Sequence, residues 1–407
     1  MLPEGSAPPR EATRHARGMP QDTAASETST MTDQHKGKPE TAAASATDEL
    51  SKLRDAQGPR PPGSYFDGDS LALEALRPLD LGQCKSFSDL LEQMKHTAFG
   101  GRQLGEAADV LEAMARDKEC LKVGTFSGAM TVAKQGLVLC DMIDHGLLDV
   151  VVSTGALVAH GLVEATGMTH FKVTPALNDR DLYYAGFDRI YDTLELEKNL
   201  DDLELMVNAL LDHWPAGETA CSRRICELMG QYLVEHAPGR GVLKSAVEHG
   251  VPVYIPAFTD SELGLDVALH NRRRRSSGRT PIAFDPYLDL EDFAGRIAGA
   301  KRVGIFTIGG GVPRNWAQQA CPYLDLIATR LGKEAGPQQR YTYGVRICPE
   351  PVHWGGLSGC SYSEGVSWGK FVPPEDGGRW AEVASDATIA WPILVAGVLE
   401  RLGVRRG

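Results

Sequence analysis

Apolar residues along the chain recur at two different spacings, and each spacing predicts a different kind of element. In residues 86–117, SFSDLLEQMKHTAFGGRQLGEAADVLEAMARD, they return every three or four positions, which is typical of amphipathic helices. Gly100 and Gly101 interrupt this pattern and predict a break between two helices. The patterned part of the chain therefore begins with helices.

Further along the chain, four segments contain short runs of β-branched and other apolar residues, and these runs predict buried strands. Each run ends in Gly, Ser, Thr or Asp and is followed by a plausible helix. The segments are KVGTFSGAM (122–130), LDVVVSTGA (148–156), VPVYIPAFTD (251–260) and KRVGIFTIGGG (301–311). This alternation predicts an α/β fold with a Rossmann-like, mostly parallel sheet and helices on both of its faces.

The residues that end these runs are candidates for ligand binding, because ligands of parallel sheets bind beyond the carboxyl ends of the strands. Small residues there let the backbone approach phosphate groups closely. However, the chain has neither GxGxxG nor GxxxxGK(S/T), so turns that merely connect strands to helices explain the glycines equally well. The candidates are Ser127, Gly128, Ser153, Thr154, Gly155, Asp260, Gly309, Gly310 and Gly311.

Two further segments are assigned from local patterns alone. SDATIAWPILVAGVLERL, residues 385–402, predicts a C-terminal helix with Asp386 as its N-cap, and Pro392 is expected to kink or locally interrupt it. We interpret the four arginines from Arg272 to Arg275 as a solvated surface loop. One short run is not a basic face, so no nucleic-acid binding is predicted.

Composition divides the chain into a tail and one folded domain. Residues 1–62 are polar, proline-rich and without an apolar period, which predicts a disordered N-terminal tail. Residues 63–407 are long enough for a single domain with a sizeable core. The formal net charge of −12 also disfavours nucleic acid as a partner. It is compatible with a polyamine or a basic protein as partner, but simple solubility is the favoured explanation of the charge by itself.

Cysteine usage and hydropathy bear on where the protein works. Eight cysteines are scattered without a CxxC pair or the spacing of a disulfide framework, so we expect a reducing compartment. Cys221 and Cys226 give a zinc site little support, and no metal is predicted. Neither a secretory signal nor an apolar run long enough for a bilayer is present. We therefore expect a soluble, cytoplasmic protein without a membrane partner.

GGLSGCSYSEGVSWGK, residues 355–370, carries candidate chemistry in a Gly-rich polar stretch. Most lysines are solvated, and Lys370 becomes a nucleophile only if burial or neighbouring cations lower its pKa. Trp368 is a packing residue or a surface for a cation, and Glu364 is a solvated acid or a partner for an amine. Together the three side chains have the composition of an amine pocket, and composition alone leaves both interpretations open.

With these residues in view, the chain resembles the deoxyhypusine synthase family over residues 85–402. Its segment 364–370, EGVSWGK, is similar to the family's Glu-Ala-Val-Ser-Trp-Gly-Lys around the catalytic lysine. The other similarities occur in the same order along the chain as in the family. A single short match would not be specific for the family, but the ordered set is. They are Ser127, Ser153-Thr154-Gly155, Pro256-Ala257-Phe258-Thr259-Asp260, Gly309-Gly310-Gly311-Val312 and Ser385-Asp386-Ala387.

The resemblance implies an NAD-dependent transferase that moves an aminobutyl group from spermidine through an imine on Lys370, in a homotetramer. NAD accepts a hydride and returns it, so it is recycled. Such a lysine has to be neutral, and bulk water has to be excluded from the imine. The resemblance implies that Ser127, Gly128, Thr154, Gly155, Ala156, Asp260, Gly310, Asp386 and Ala387 bind the cofactor. It also implies that Glu364, Trp368, Asn315, Gly355 and His160 bind the amine.

The chain departs from the family pattern at acidic and acid–base positions. Ala159 and His160 stand where the synthases have adjacent glutamates, and Asn315 stands where they have a histidine. A carboxylate lost beside a buried ammonium is costly, so we expect a changed substrate or binding pose. Candidates to compensate, on sequence proximity alone, are Glu262, Asp266, His270 and His353.

These departures resemble the bacterial deoxyhypusine synthase-like branch and favour a small diamine as the amine acceptor. Putrescine as acceptor would give homospermidine by the same steps. Two alternatives stay open: a true deoxyhypusine synthase that modifies a protein lysine, and a noncatalytic sensor of NAD or polyamine on the same scaffold. The intact motif around Lys370 speaks against the sensor.

Overall fold

The computed structural model describes residues 73–404 except 175, 333–337 and 357, together with scattered positions between 48 and 71. The chain divides into two compact units, Met1–Ala75 and Leu76–Gly407. The tail predicted for residues 1–62 lies almost wholly outside the described residues, so the tail and its boundary stay predictions. The architecture below is that of the second unit.

A six-stranded sheet, parallel throughout, organises this unit. Its strands are β1 (Cys120–Phe126), β2 (Val150–Ser153), β6 (Val253–Tyr254), β7 (Arg302–Ile308), β8 (Tyr341–Ile347) and β9 (Arg379–Val383). Their spatial order is β6-β2-β1-β7-β8-β9. If these six strands are numbered 1 to 6 in chain order, their spatial order is 3-2-1-4-5-6, which is the order of a doubly wound Rossmann sheet. The second and third strands are added on one side of β1 and the last three on the other, so the order of addition reverses between β1 and β7. The predicted α/β class is confirmed.

Thirteen helices are assigned in the described part of the chain. They are α1 (Phe87–Lys95), α2 (Phe99–Arg116), α3 (Gly136–Asp144), α4 (Gly155–Ala165), α5 (Asp179–Ala185), α6 (Glu197–Asp212), α7 (Ser222–His236), α8 (Val242–Glu248), α9 (Glu262–Ser276), α10 (Tyr287–Gly299), α11 (Gly311–Leu331), α12 (Tyr362–Ser367) and α13 (Ala387–Arg401). None of these helices is both long and apolar enough to cross a membrane.

Apolar side chains cover both faces of the sheet, which explains why its strands are almost continuously apolar. Along β2, Val151 belongs to one hydrophobic cluster while Val150 and Val152 belong to another. Successive strand residues point to opposite faces, so the two clusters lie on opposite sides of the sheet. Trp391 of α13 packs in the first cluster, and Phe293 of α10 packs in the second.

The break between the first two helices lies earlier than the sequence predicts. The chain leaves α1 at His96, while Gly100 and Gly101 fall in the first turn of α2. The hydroxyl of Thr97 donates to the Met94 carbonyl at 2.6 Å, which satisfies a free carbonyl at the end of α1. The prediction of two helices is confirmed, and the position of the break was wrong.

Two other local predictions are corrected. Arg272–Arg275 form the end of α9 and not a loop, which places their positive charges where the helix dipole favours them. The predicted C-terminal helix has Asp386 as its N-cap and is not interrupted at Pro392, so the predicted interruption was wrong, while the alternative of a kink stays a prediction. Proline at that position frees the Thr388 carbonyl one turn earlier. The side-chain amide of Gln135 donates to this carbonyl at 2.6 Å, so the helix does not need to break.

A second, three-stranded antiparallel sheet lies between α4 and α6 in the chain. Its strands are β3 (Phe171–Lys172), β4 (Phe187–Ile190) and β5 (Thr193–Leu196), in the spatial order β3-β5-β4. These strands are short, and β3 is exposed, so no apolar run in the sequence predicts them. This small sheet contributes Glu195, whose side chain is fully buried.

Candidate active site

Backbone hydrogen bonds tie the loops together beyond the carboxyl ends of five neighbouring strands. The amide of Ser127 donates to Ile308 at 3.1 Å, and that of Thr154 donates to Phe126 at 3.2 Å. On the other side of β7, Gly309 N donates to Ile347 O at 2.8 Å and Cys348 N donates to Val383 O at 3.0 Å. The loops after β2, β1, β7, β8 and β9 therefore form one continuous edge.

Ser127, in the loop after β1, connects that loop to the loop after β7. The strand order reverses between these two strands. Its hydroxyl donates to the Ile308 carbonyl at 2.9 Å and accepts from the Gly310 amide at 3.1 Å. Gly309 has a φ of 74°, and a Cβ there would lie 2.1 Å from the Ser127 hydroxyl oxygen. Only glycine fits this turn, so the predicted residues after β1 and β7 form one unit.

The start of α4 completes this side of the edge. Thr154 caps α4 by accepting from the Leu157 amide at 3.3 Å, and its hydroxyl donates to the Gly128 carbonyl at 2.5 Å. A Cβ on Gly155 would lie 2.2 Å from the Ser261 hydroxyl oxygen. This close approach brings the segment after β6, with exposed Asp260, beside α4. Half-buried Ala156 follows in the first turn of α4.

Helix α11 begins at the same edge and is capped differently. Its N-cap is Gly310, and no side chain accepts a hydrogen bond from the first turn. The first N–H groups of a long helix therefore remain available there, and such groups favour an anion. A Cβ on Gly310 would lie 2.9 Å from both the Cα and the carbonyl oxygen of Ser358, so the segment before Lys370 is packed against this turn.

Lys370 lies beside the amino end of β8, where the Tyr341 amide donates to its carbonyl at 2.9 Å, and its side chain extends to α11. Its Nζ donates to Asn315 Oδ1 at 3.3 Å and stands 6.0 Å from the centre of the Trp368 ring. Its backbone amide donates to the Gly365 carbonyl at 3.0 Å, which closes a turn after α12. The Lys370 side chain is half-buried, whereas Trp368 is 65% exposed.

The surroundings of Lys370 favour its neutral form. Burial lowers the pKa of Lys370 from its ordinary value, and the guanidinium of Arg314 acts in the same direction. The thiols of Cys360 and Cys321 and the carboxyl group of Glu364 oppose the shift without cancelling it. Burial and a nearby positive charge, either of which can lower the pKa of a lysine, are therefore both present.

Two buried arginines hold the segment before Lys370, and the sequence did not identify either. Arg314 donates to the Cys360 carbonyl at 2.6 Å, and Arg346 donates to Cys360 at 2.5 Å and to Gly359 at 3.2 Å. Arg346 also lies 3.4 Å from the Glu382 carboxylate, whereas Arg314 Nε has no hydrogen-bond partner among the described residues. An arginine within the apolar strand β8 was the available signal, because a buried arginine needs acceptors.

Three other candidates have contacts of their own. The carboxylate of Asp386 accepts from the Thr388 amide at 2.7 Å, so it is engaged as a helix cap, and Ala387 begins α13. Gly355 is exposed, and a Cβ there would meet nothing within 4 Å. Among the described residues, no hydrogen bond links these three to Lys370.

His160 contacts a residue that the sequence did not single out. Glu195 Oε2 lies 3.2 Å from His160 Nδ1 and 2.5 Å from His170 Nε2, while Glu195 Oε1 accepts from Asn199 at 2.8 Å. Burial alone would raise the pKa of Glu195, but hydrogen bonds from His160 and Asn199 and the close contact with His170 lower it to about 2. A buried carboxylate therefore stands beside the position where the family's glutamates are missing.

The compensating candidates on α9 make different contacts. His270 Nδ1 lies 2.9 Å from Asn208 Oδ1. Asp266 is 8% exposed, and burial, with Glu262 and Glu204 nearby, raises its pKa to about 7. Asp266 is therefore a buried carboxyl group with a pKa near neutral pH, and its ionisation should change the free energy of unfolding.

Asp266→Asn is expected to stabilise the protein at alkaline pH. The unfolded chain releases this proton near pH 3.8, whereas the folded chain holds it up to about pH 7, so the free energy of unfolding falls as pH rises between these values. Asparagine cannot ionise, so we expect a gain of roughly 2–4 kcal/mol at about pH 8 and little change at about pH 4. Urea unfolding at both pH values measures it, with exposed Asp188→Asn as control. Equal gains at both pH values would contradict the assignment.

The fold and the site together define a class of protein: an α/β protein with a Rossmann-type sheet and a half-buried lysine of lowered pKa next to the helix that follows β7. A family model described as deoxyhypusine synthase matches residues 89–398. "Probable deoxyhypusine synthase 2" of Methanosarcina acetivorans is 32% identical over 80% of this chain and 89% of its own length. "Deoxyhypusine synthase-like protein" of Chlorobaculum tepidum is 32% identical over 75% of this chain and 84% of its own.

The chain belongs to the deoxyhypusine synthase family, which confirms the resemblance found in the sequence, and it is a transferase of aminobutyl groups. The fold agrees with this assignment. A crystal structure of a candidate deoxyhypusine synthase from Entamoeba histolytica superposes with a TM-score of 0.52 over 79% of this chain and 96% of its own, at 13% identity.

Proposed function

We propose that this protein is an NAD-dependent transferase that takes an aminobutyl group from a polyamine such as spermidine, holds it as an imine on Lys370 and passes it to a small diamine. The observation that carries the proposal is the environment of Lys370. This lysine is half-buried, its pKa is lowered by burial and by Arg314, and its Nζ donates to Asn315 of α11, the helix that begins at the carboxyl edge of the sheet. A neutral amine is what imine exchange requires.

The carboxyl edge fits a dinucleotide. The turns after β1 and β7 meet at the reversal of strand order, where Rossmann sheets bind such ligands. The uncapped first turn of α11 suits a pyrophosphate, and Ser127, Gly128, Thr154, Gly155 and Gly310 would hold the cofactor. The chemistry that NAD supplies when bound is reversible acceptance of a hydride from the carbon beside the amine.

The surroundings of Lys370 fit a cationic amine. The exposed face of Trp368 lies near Nζ, where an aromatic ring attracts a cation, and Glu364 is close enough to influence the pKa of Lys370. Asn315 offers a neutral acceptor that orients the amine without fixing its charge. These residues bind and orient the substrate, and Lys370 forms the covalent bond.

Assembly into a homotetramer is part of the proposal. Large apolar side chains around the edge are exposed in a single chain, including Val312 (52%), Val352 (64%), Trp354 (58%), Trp368 (65%) and Ile389 (64%). Surfaces of this kind are typical of subunit contacts. A subunit that covers them would also exclude water from the imine. We further propose a reducing, cytoplasmic location, because all eight cysteines are free thiols.

A small diamine is the proposed acceptor because this chain differs from the family pattern at the acidic and acid–base positions. Ala159, His160 and Asn315 alter the amine end of the site while the lysine motif is kept. The rival is transfer to a lysine on a protein, which the names of the archaeal relatives favour. A noncatalytic sensor needs no half-buried lysine with a lowered pKa, so Lys370 argues against it.

Product analysis tests the proposal. The purified protein is incubated with NAD, spermidine and putrescine, and products are identified by mass spectrometry. We expect homospermidine and diaminopropane, both dependent on NAD. Transfer only to a protein lysine would establish the rival, and binding of spermidine without any product would establish the sensor.

A further inference from the structure

Helix α4, strand β5 and the loop before β3 bring two histidines and a glutamate together. Glu195 Oε2 of β5 lies 3.2 Å from His160 Nδ1 of α4 and 2.5 Å from His170 Nε2 in the loop. Each residue offers one ligand atom, and the three atoms lie within 4.8 Å of one another. In the part of the chain that the structure describes, no other group of three His, Cys, Asp or Glu side chains offers ligand atoms this close together.

The contact between His170 and Glu195 is not a hydrogen bond. The His170 side chain is fully buried, and its Nε2 has no hydrogen-bond partner among the described residues. Glu195 Oε2 is only 2.5 Å away, but it lies out of line with an N–H at Nε2. A nitrogen and a carboxylate oxygen this close without a shared proton repel each other, because both present lone pairs. A cation coordinated by both atoms removes that repulsion.

Glu195 also lacks a permanent positive partner. Its side chain is fully buried, and within the described ranges its ion-pair contacts are with His160 and His170. A buried carboxylate is costly unless it is paired with a positive charge. Neutral imidazoles bring no such charge, whereas a divalent cation does. Neutral imidazole is also the form in which histidine binds metal ions.

Hydrogen bonds from behind fix the orientation of Glu195. The side-chain amide of Asn199 on α6 donates to Glu195 Oε1 at 2.8 Å, and the Leu196 amide donates to the same oxygen at 3.2 Å. The other oxygen, Oε2, is left facing the two histidines. Metal-binding carboxylates are typically held by hydrogen bonds of this kind.

Lys134 has to change its contacts when an ion binds to His170. Its Nζ lies 2.7 Å from His170 Nδ1 and 2.8 Å from Glu164 Oε1. With a metal on Nε2, the imidazole carries its proton on Nδ1, which then cannot accept from an ammonium. The Lys134 side chain is 45% exposed, so it can turn away from the ring and keep its contact with Glu164. Lys134 therefore opposes metal binding, and its removal should strengthen it.

We propose that His160 Nδ1, His170 Nε2 and Glu195 Oε2 bind one Zn²⁺. Two imidazoles and one carboxylate occur together in catalytic zinc sites, where the fourth position holds water or substrate. Ligand atoms of a tetrahedral zinc site lie roughly 3.3 Å apart. The 3.2 Å contact already fits, and the 2.5 Å contact has to open by less than about 1 Å. His160, with 18% of its side chain accessible, is the ligand that borders solvent.

Metal analysis of the full-length protein tests the inference. Protein stripped with a chelator is dialysed against Zn²⁺, and wild type is compared with H160A and E195Q. The controls H213A and E197Q change exposed residues of the same types. We expect about one Zn²⁺ per chain in wild type and controls, and an affinity lower by more than about 100-fold in H160A and E195Q. Co²⁺ bound in place of zinc should give the strong visible absorption of a tetrahedral site, and both ligand variants should lose it.

A lysine variant tests the predicted opposition of Lys134. K134M should bind Zn²⁺ about 10-fold more tightly than wild type, because a neighbouring positive charge is removed. K198M, which removes an exposed lysine of α6, should not change the affinity.

Zinc bound equally by wild type and by folded H160A, or no stoichiometric zinc in wild type, would overturn the inference. Because His160 is partly exposed, H160A gives a result even if E195Q does not fold. None of these measurements uses transferase activity, so failure of the proposed function would leave the zinc site standing, and failure of the zinc site would leave the proposed function standing.

Discussion

Lys370→Arg is expected to abolish aminobutyl transfer, with a fall in turnover of about 1,000-fold or more. Arginine keeps a positive charge of similar reach, and its guanidinium stays protonated in proteins. It can therefore still hydrogen bond to Asn315 Oδ1, where the lysine now lies 3.3 Å away, but it cannot form an imine. The substitution therefore distinguishes a role of Lys370 as a positive charge from its role in forming a covalent imine.

Borohydride trapping followed by peptide mass spectrometry measures the covalent step directly. Wild type should give an adduct on Lys370 that depends on both spermidine and NAD, and K370R should give none. Exposed Lys198→Arg is the matched control and should leave both adduct and turnover unchanged. Full transfer activity in K370R, or an adduct on another lysine in wild type, would contradict the assigned nucleophile.

The pH dependence of trapping follows from the lowered pKa of Lys370. Only the neutral amine reacts, so adduct formation should rise with pH and level off at a pH below the ordinary pKa of a lysine. Burial is the main cause of the shift and Arg314 the main charged one that acts in the same direction. A midpoint at or above the value of a free lysine would show that the amine is solvated in the protein.

The parts of the fold that the sequence predicted are those that local pattern determines. β1, β2, β6 and β7 are apolar runs that end in small residues, and all four were identified. β8 was missed because Gly344 and Arg346 interrupt its apolar pattern, although a network of backbone carbonyls accounts for the arginine. β9 is an edge strand of five residues with alternating polar positions, which resembles many surface segments.

The same distinction applies to the site. Ser127, Thr154, Gly155 and Gly310 stand in motifs whose order along the chain could be recognised, and they lie along one edge. Glu195 could not be found in this way, because its contact with His160 spans 35 residues and depends on a small sheet of short strands. A glutamate in an exposed-looking hairpin is ordinarily solvated. Only the folded chain shows that this one is buried between two histidines.

Gly310→Ala tests whether the carboxyl edge is as tightly assembled as the contacts indicate. A Cβ at this position would lie 2.9 Å from the Ser358 carbonyl oxygen and Cα, which are backbone atoms that cannot rotate away. The segment of Ser358 is in turn held at Cys360 by the buried Arg314 and Arg346. The strain must therefore move either the turn after β7 or the segment that leads to Lys370.

Either movement changes the distance between the cofactor side of the edge and the reactive amine, and displacements near 1 Å cost about 100-fold in rate. We expect G310A to lose roughly that factor in kcat and, because Gly310 is buried and the clash is with backbone atoms, to lose about 1–3 kcal/mol in the free energy of unfolding. Gly295→Ala is the matched control. Gly295 is an exposed residue of α10 where a Cβ would meet nothing within 4 Å, so alanine should keep activity and add up to about 1 kcal/mol of stability. Wild-type kcat in G310A would show that the edge tolerates a shift and that the position of Lys370 does not depend on this turn.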